Sequence, residues 1–125
     1  MLNYRYDSSL ETLYFTVRGI LTIQNIIDHY RKLPALDKPP ANLKVCIDCR
    51  GVNFQVSFNE IRSISNEVKN ALGQYDNIAE AIMVDEPYQT AIASIFKSNN
   101  KFDNYAFQIF STESAAMQWL ESRRF

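Results

Sequence analysis

The chain has 125 residues, 46% of them hydrophobic and 13% aromatic, which fits one compact domain burying roughly two-thirds of its unfolded surface. Thirteen basic against fourteen acidic residues leave a formal net charge of -1, with no basic run longer than Arg123-Arg124, so nucleic acid is not an expected partner. No stretch approaches the ~20 apolar residues of a membrane span, and Met1-Leu2-Asn3-Tyr4-Arg5 lacks the character of a secretion signal, so a cytoplasmic location is expected.

Leu2 to Tyr6 alternates apolar and polar residues, and Leu13 to Arg18 is rich in β-branched and aromatic ones. With Asp7-Ser8-Ser9 as the turn between them, they predict a hairpin. Thr22 then precedes a helical stripe of Ile23, Ile26, Ile27, Tyr30 and Leu33 that Pro34 ends. Residues 37–42, centred on Pro39-Pro40, read as a surface loop, since neither flanking half could bury a core alone. A strand over 43–49 leads into a second helix with Phe58, Ile61, Ile64, Val68 and Leu72 inward and Gly73 near its end. Ile78 to Val84 is apolar on both sides apart from Glu80, as expected of a strand near the middle of a sheet. Pro87 stands early in a third helix whose inward stripe is Ala91, Ile92, Ile95 and Phe96. Tyr105 to Phe110 is the last strand, and a last helix begins at 111–113 and buries Ala115, Ala116, Trp119 and Leu120.

The order ββαβαβαβα predicts a single α/β domain over residues 1–125 with a mainly parallel five-stranded sheet. On the strand over 43–49, Leu43, Val45, Ile47 and Cys49 share one face, and Lys44, Cys46 and Asp48 the other. Thr16, Arg18 and Gln108 follow the same split. One face is therefore mostly polar, which places the helices mostly on the opposite side and leaves the polar face to solvent or a partner.

Cys46 and Cys49 form a C-x-x-C, but a redox pair belongs at a helix N-terminus, and residues three apart on a strand diverge, so both read as free structural thiols. His29 is the only histidine and lies at the edge of the first helix's apolar stripe, a boundary residue without a nucleophile to serve. Together with two strand cysteines it makes no zinc set. The three glycines, at 19, 51 and 73, build no phosphate loop. Asp48, Asp85 and Glu86 fall near the C-terminal ends of parallel strands, where α/β sheets place sites, but acids there also cap helices, the expected role of Asp85 and Glu86. No catalytic residue, metal or cofactor is predicted, and the chain is not expected to be an enzyme.

Asp48, Gly51-Val52, Phe54 and Ser57 carry a resemblance to the STAS family, the anti-sigma-factor-antagonist-like domains, and to STAS-like bacterial proteins of similar length. In that family a strand ending in Asp runs through a Gly-Val-x-Phe-like turn to a Ser or Thr at the next helix's N-terminus, the phosphoacceptor of the regulatory members. The resemblance spans nearly the whole chain in element order and aligns Ser57 with the phosphoacceptor. Val56 stands where the regulatory members keep an Asp, and Phe58-Asn59 replaces their small, Gly-containing continuation. Ser57-Phe58-Asn59-Glu60 is also a capping box, which contributes ~1 kcal/mol to the helix start.

The resemblance implies a non-enzymatic protein-interaction or regulatory module recognising its partner through Asp48, Arg50, Asn53, Phe54 and Ser57. Its alternative is a binder of an apolar, lipid-like molecule between helices and sheet, lined by Tyr30, Phe58, Phe96, Phe107 and Trp119. Tyr4, Tyr6 and Tyr14 are amphipathic side chains of the kind enriched at interfaces, and they predict a weak homodimer.

Overall fold

The computed structural model describes residues 2–33 and 36–125. Its strands are β1 (Leu2–Asp7), β2 (Thr12–Val17), β3 (Ile20–Thr22), β4 (Asn42–Asp48), β5 (Asn53–Gln55), β6 (Asn77–Met83) and β7 (Tyr105–Phe110). Its helices are α1 (Ile23–Arg31), α2 (Phe58–Arg62), α3 (Ser65–Leu72), α4 (Pro87–Asn99) and α5 (Glu113–Ser122). The stop assigned to Pro34 lies outside the described residues.

The main sheet runs β1-β2-β4-β6-β7, and it is mixed: β1 pairs antiparallel with β2, and every later pairing is parallel. The hairpin forms because Asp7 turns the chain, its Oδ1 accepting from the Ser9 and Leu10 amides at 3.0 and 3.2 Å. Two short strands, β3 and β5, pair parallel in a small second sheet that the sequence pattern did not reveal. At three residues each they are too short for periodicity to register.

The expected second helix is two helices. Its apolar spacing reads straight through the break because Ile61, Ile64, Val68 and Leu72 are all buried. The break occurs where the Ser63 amide and hydroxyl both donate to the Glu60 carbonyl, at 3.0 and 2.7 Å, tightening the last turn of α2. Phe58, expected inward, is 43% exposed.

Most of the helices share one face, as expected, but the other face is not left entirely to solvent or a partner. Helices α1 to α4 pack on the face carrying Leu13, Phe15, Val45, Ile47, Ile78 and Phe107, but α5 covers part of the other face. There Ala116 and Leu120 meet Cys46, Ala79, Ala81 and Met83 in a second core. Ala79 and Ala81 have no side chain beyond Cβ, so a helix seats close on a strip that reads as neither strongly polar nor strongly apolar. The register also separates the three tyrosines expected to form a dimer patch. Tyr4 and Tyr6 sit opposite Phe15 and Leu13, whereas Tyr14 sits opposite Arg5, whose guanidinium lies 3.9 Å from the Tyr14 ring centroid. Alternation sends Tyr14 to the other face, so the three make no single patch.

Cys46 and Cys49 diverge as expected, Cys46 into the core under α5 and Cys49 into the core under the other helices. Both are free, and burial pushes their thiols up to about 11 and about 12.

Candidate functional site

The segment from Cys49 to Ser57 connects the end of β4 to α2, and hydrogen bonds from three directions hold it. Gly51 adopts φ +76°, a left-handed conformation that suits glycine, and its amide donates to Asp85 Oδ1 at 3.0 Å. Asp85 therefore braces this loop, and the cap role expected for it is not the one it plays. Glu86 does sit at the N-cap of α4. From the far side the Asn53 amide donates to the Gly19 carbonyl at 2.9 Å, and β5 continues along β3.

The third brace is Gln89, which the sequence reading missed. It is 1% exposed; its Oε1 accepts from the Asp85 and Glu86 amides at 2.8 and 3.1 Å, and its Nε2 donates to the Cys49 and Val52 carbonyls at 3.1 and 2.7 Å. One amide side chain thus closes the first turn of α4 and pins the loop to it. The signal was Glu86 with Gln89 three residues on, a capping-box spacing that shows the helix start but not the loop contact.

The five candidate residues divide into two groups and an outlier. Asp48 and Arg50 form a two-pronged ion pair, with Arg50 Nε 3.0 Å from Oδ1 and the second nitrogen 2.9 Å from Oδ2. The hydrogen bonds from Arg50 hold the Asp48 carboxyl below its ordinary range. Ser57 is exposed and makes both halves of its predicted box: its Oγ accepts from the Glu60 amide at 3.1 Å, and Glu60 accepts from the Ser57 amide at 2.9 Å. Asn53 is exposed on β5. Phe54 is the outlier, at 8% exposure; it faces the core rather than a partner because β5 alternates and Phe54 is its inward residue. Val56, at 2%, is buried as well.

In place of Phe54 the surface presents Phe58 and Tyr88. Their rings stack with centroids 5.8 Å apart, each more than 40% exposed, and the Tyr88 hydroxyl donates to the Val56 carbonyl. This platform stands directly after Ser57.

A second site lies beneath. Between α1, the small sheet, α2, α4 and the main sheet is a cavity of about 560 Å³, within the ordinary range for small-molecule sites. Phe15, Ile47 and Phe107 of the main sheet, Phe54 of β5, Ile26 of α1 and Phe96 of α4 are among its lining residues. Asn25 and Asp28 of α1, and Lys32 just after it, also line it. Of the aromatic set proposed for a pocket, Tyr30, Phe96 and Phe107 line the cavity. Phe58 lies on the surface, and Trp119 packs against Phe110 on the opposite side of the sheet.

Against this apolar interior stands a buried polar cluster. Glu80, 2% exposed, accepts the Tyr30 and Tyr105 hydroxyls on the same oxygen, Oε1. Burial first, then the charge of Glu80, pushes both phenols well above their ordinary range. His29 packs edge-on against Phe15 and Tyr30, and its Nε2 lies 3.8 Å from Glu80 Oε2, near enough for attraction and too far for a hydrogen bond. The lone acid in an apolar strand was visible in the sequence; its partners, fifty and twenty-five residues away, were not.

Among the described residues no helix is long and apolar enough to cross a membrane. No protein-family model matches the chain, and no curated protein matches it. Among solved structures it is similar to an uncharacterized protein of the DUF3478 family with a SpoIIAA-like fold from Shewanella loihica PV-4. The two are 16% identical and superpose with a TM-score of 0.60 over 96% of this chain and 92% of the other. The chain therefore has the SpoIIAA-like, that is STAS-like, fold.

Proposed function

We propose that the domain is a non-enzymatic protein-interaction module of STAS type, recognising its partner at the end of the sheet where Arg50, Asn53, Ser57, Phe58 and Tyr88 are exposed. The observation that carries this reading is the stacked Phe58–Tyr88 pair beside Ser57, two large aromatic rings left open to solvent, Phe58 where the braced segment enters α2 and Tyr88 on α4. Aromatic side chains on a preorganised surface are the usual anchors of protein interfaces, because little conformational entropy remains to be lost on docking. Ser57 is the position in this surface where an added phosphoryl group would change recognition. The test is a pull-down from the native cells with the wild type, Phe58→Ala and Ser57→Asp, each first shown to melt normally. Loss of a specific partner in Phe58→Ala supports the reading; the same partners in all three variants would overturn it.

A second reading, a binder of an apolar small molecule, is favoured by the 560 Å³ cavity. Ligand retained in a native mass spectrum, or a melting temperature raised by a lipid panel, supports it through mass action.

A further inference from the structure

We infer that β1 is a dimerisation edge: a second copy of the chain adds its own β1 antiparallel to it, centred on Tyr4, and joins the two main sheets into one. β1 ends the sheet on one side and β7 on the other. The β7 edge is flanked by helices, with Phe107 against Phe96 of α4 and Phe110 against Trp119 of α5, and none of its residues is exposed. On β1, Asn3, Tyr4 and Arg5 are all exposed, Tyr4 at 57%. Edges that stay single are ordinarily guarded by Pro, Lys, a bulge or a free charge. β1 has no Pro or Lys, and it pairs with β2 residue for residue without a bulge. Both of its charges are engaged within the chain, Arg5 over the Tyr14 ring and Asp7 in the hairpin turn.

The hydrogen-bond pattern fixes which backbone groups of β1 face outward. The Lys44 amide donates to the Glu11 carbonyl at 3.1 Å, so, with Thr12 opposite Lys44, the odd-numbered residues of β2 bond to β4. The even-numbered ones, Thr12, Tyr14 and Thr16, therefore bond to β1, where they stand opposite Asp7, Arg5 and Asn3. That directs the N–H and C=O groups of Leu2, Tyr4 and Tyr6 away from the sheet. A second β1 must set these residues against one another. Centred on Tyr4, the register pairs Leu2 with Tyr6 of the second copy, Tyr4 with its own equivalent and Tyr6 with Leu2, and each pair exchanges two hydrogen bonds. Arg5 then stands opposite Asn3. Centred on Arg5, only Tyr4 and Tyr6 pair, and two arginines stand directly opposite, which is unfavourable. A two-fold register that uses every outward group and opposes no like charges selects a second copy as the occupant. Of the three tyrosines expected at a dimer surface, Tyr4 and Tyr6 take part and Tyr14 does not. A contact of one strand with one strand is small, so the dimer is weak.

The test combines sedimentation equilibrium of the full chain, from about 10 μM to about 1 mM, with oxidative cross-linking of Tyr4→Cys and Asn3→Cys. In the inferred register the two copies of residue 4 have Cα atoms about 5.5 Å apart, within disulfide reach, whereas the two copies of residue 3 lie diagonally, about 8 Å apart and beyond it. The expected result is a wild type that dimerises as concentration rises, and a covalent dimer from Tyr4→Cys that forms about tenfold faster than from Asn3→Cys. The native Cys46 and Cys49 are buried and add no background. Tyr4→Lys sets two ammonium groups against each other and should weaken the dimer by about tenfold without lowering the melting temperature much. If that variant fails to fold, the cross-linking pair decides alone. A wild type that stays monomeric throughout, equal cross-linking at the two positions, or a dimer that a folded Tyr4→Lys leaves unchanged would each overturn the inference.

Discussion

Replacing Gln89 with Leu removes four hydrogen bonds at once while nearly conserving side-chain volume. The two bonds to the Cys49 and Val52 carbonyls are buried, and the two from the Asp85 and Glu86 amides lie partly within reach of water. Leaving two buried carbonyls without a donor costs about 1.5 kcal/mol each, and two partly hydrated amides cost about 0.5 kcal/mol each. Freeing the fold from desolvating the Gln amide returns about 1 kcal/mol. The net expectation is a loss of about 3 kcal/mol, or roughly 12 °C in Tm for a domain of this size. Urea denaturation monitored by circular dichroism measures the loss, with Thr90→Ala as a neighbouring control expected within about 0.5 kcal/mol of wild type. Gln89→Glu separates the two halves of the role: it keeps the acceptor for both amides and places another acceptor against the carbonyls. It should be at least as damaging as Leu at neutral pH. If Leu costs less than about 1 kcal/mol, or if Glu is neutral, the loop is not held through Gln89 and the argument for a rigid recognition surface fails with it.

Ser57→Ala should cost ~1 kcal/mol in the same assay and Ser57→Asp close to nothing, since Asp caps as well as Ser and its charge suits a helix start; equal losses in both would mean the box is not what holds α2. Arg50→Met should lower stability at neutral pH by less than about 1 kcal/mol, because the ion pair is partly open to solvent. The Asp48 carboxyl is lowered in the fold, so its contribution is present above the unfolded carboxylate value and lost as pH falls through the folded one. The gap between Arg50→Met and wild type should therefore close in acid, and a gap that widened there would contradict the assignment. Cys46 and Cys49, with thiols pushed up to about 11 and about 12, should react with a disulfide reagent at pH 8 far more slowly in the folded protein than in urea. Fast labelling of the folded protein would show that one of the two cores opens readily.

Much of the architecture was legible in the residues because it depends on local periodicity. Alternation over Leu2 to Tyr6 and the β-branched and aromatic run from Leu13 to Arg18 mark the hairpin, and the apolar stripes mark the helices, whatever the rest of the chain does. The Ser57 box was readable for the same reason, since its donor and acceptor are three residues apart. What required the tertiary structure was everything set by position along another element. Phe54 and Phe58 are four residues apart in one segment, yet one is buried and the other open, because β5 must pair with β3 and only that pairing turns Phe54 inward. The third layer under α5 was decided by Ala79 and Ala81 falling side by side with Cys46 and Ala106 across the strands, where their small size admits a helix. Gln89 reaches the Cys49 and Val52 carbonyls from another helix, and Glu80 reaches Tyr30 and Tyr105 from another strand. A polar side chain inside the fold takes whatever partner the packing brings within about 3 Å, and that distance carries no trace in sequence spacing.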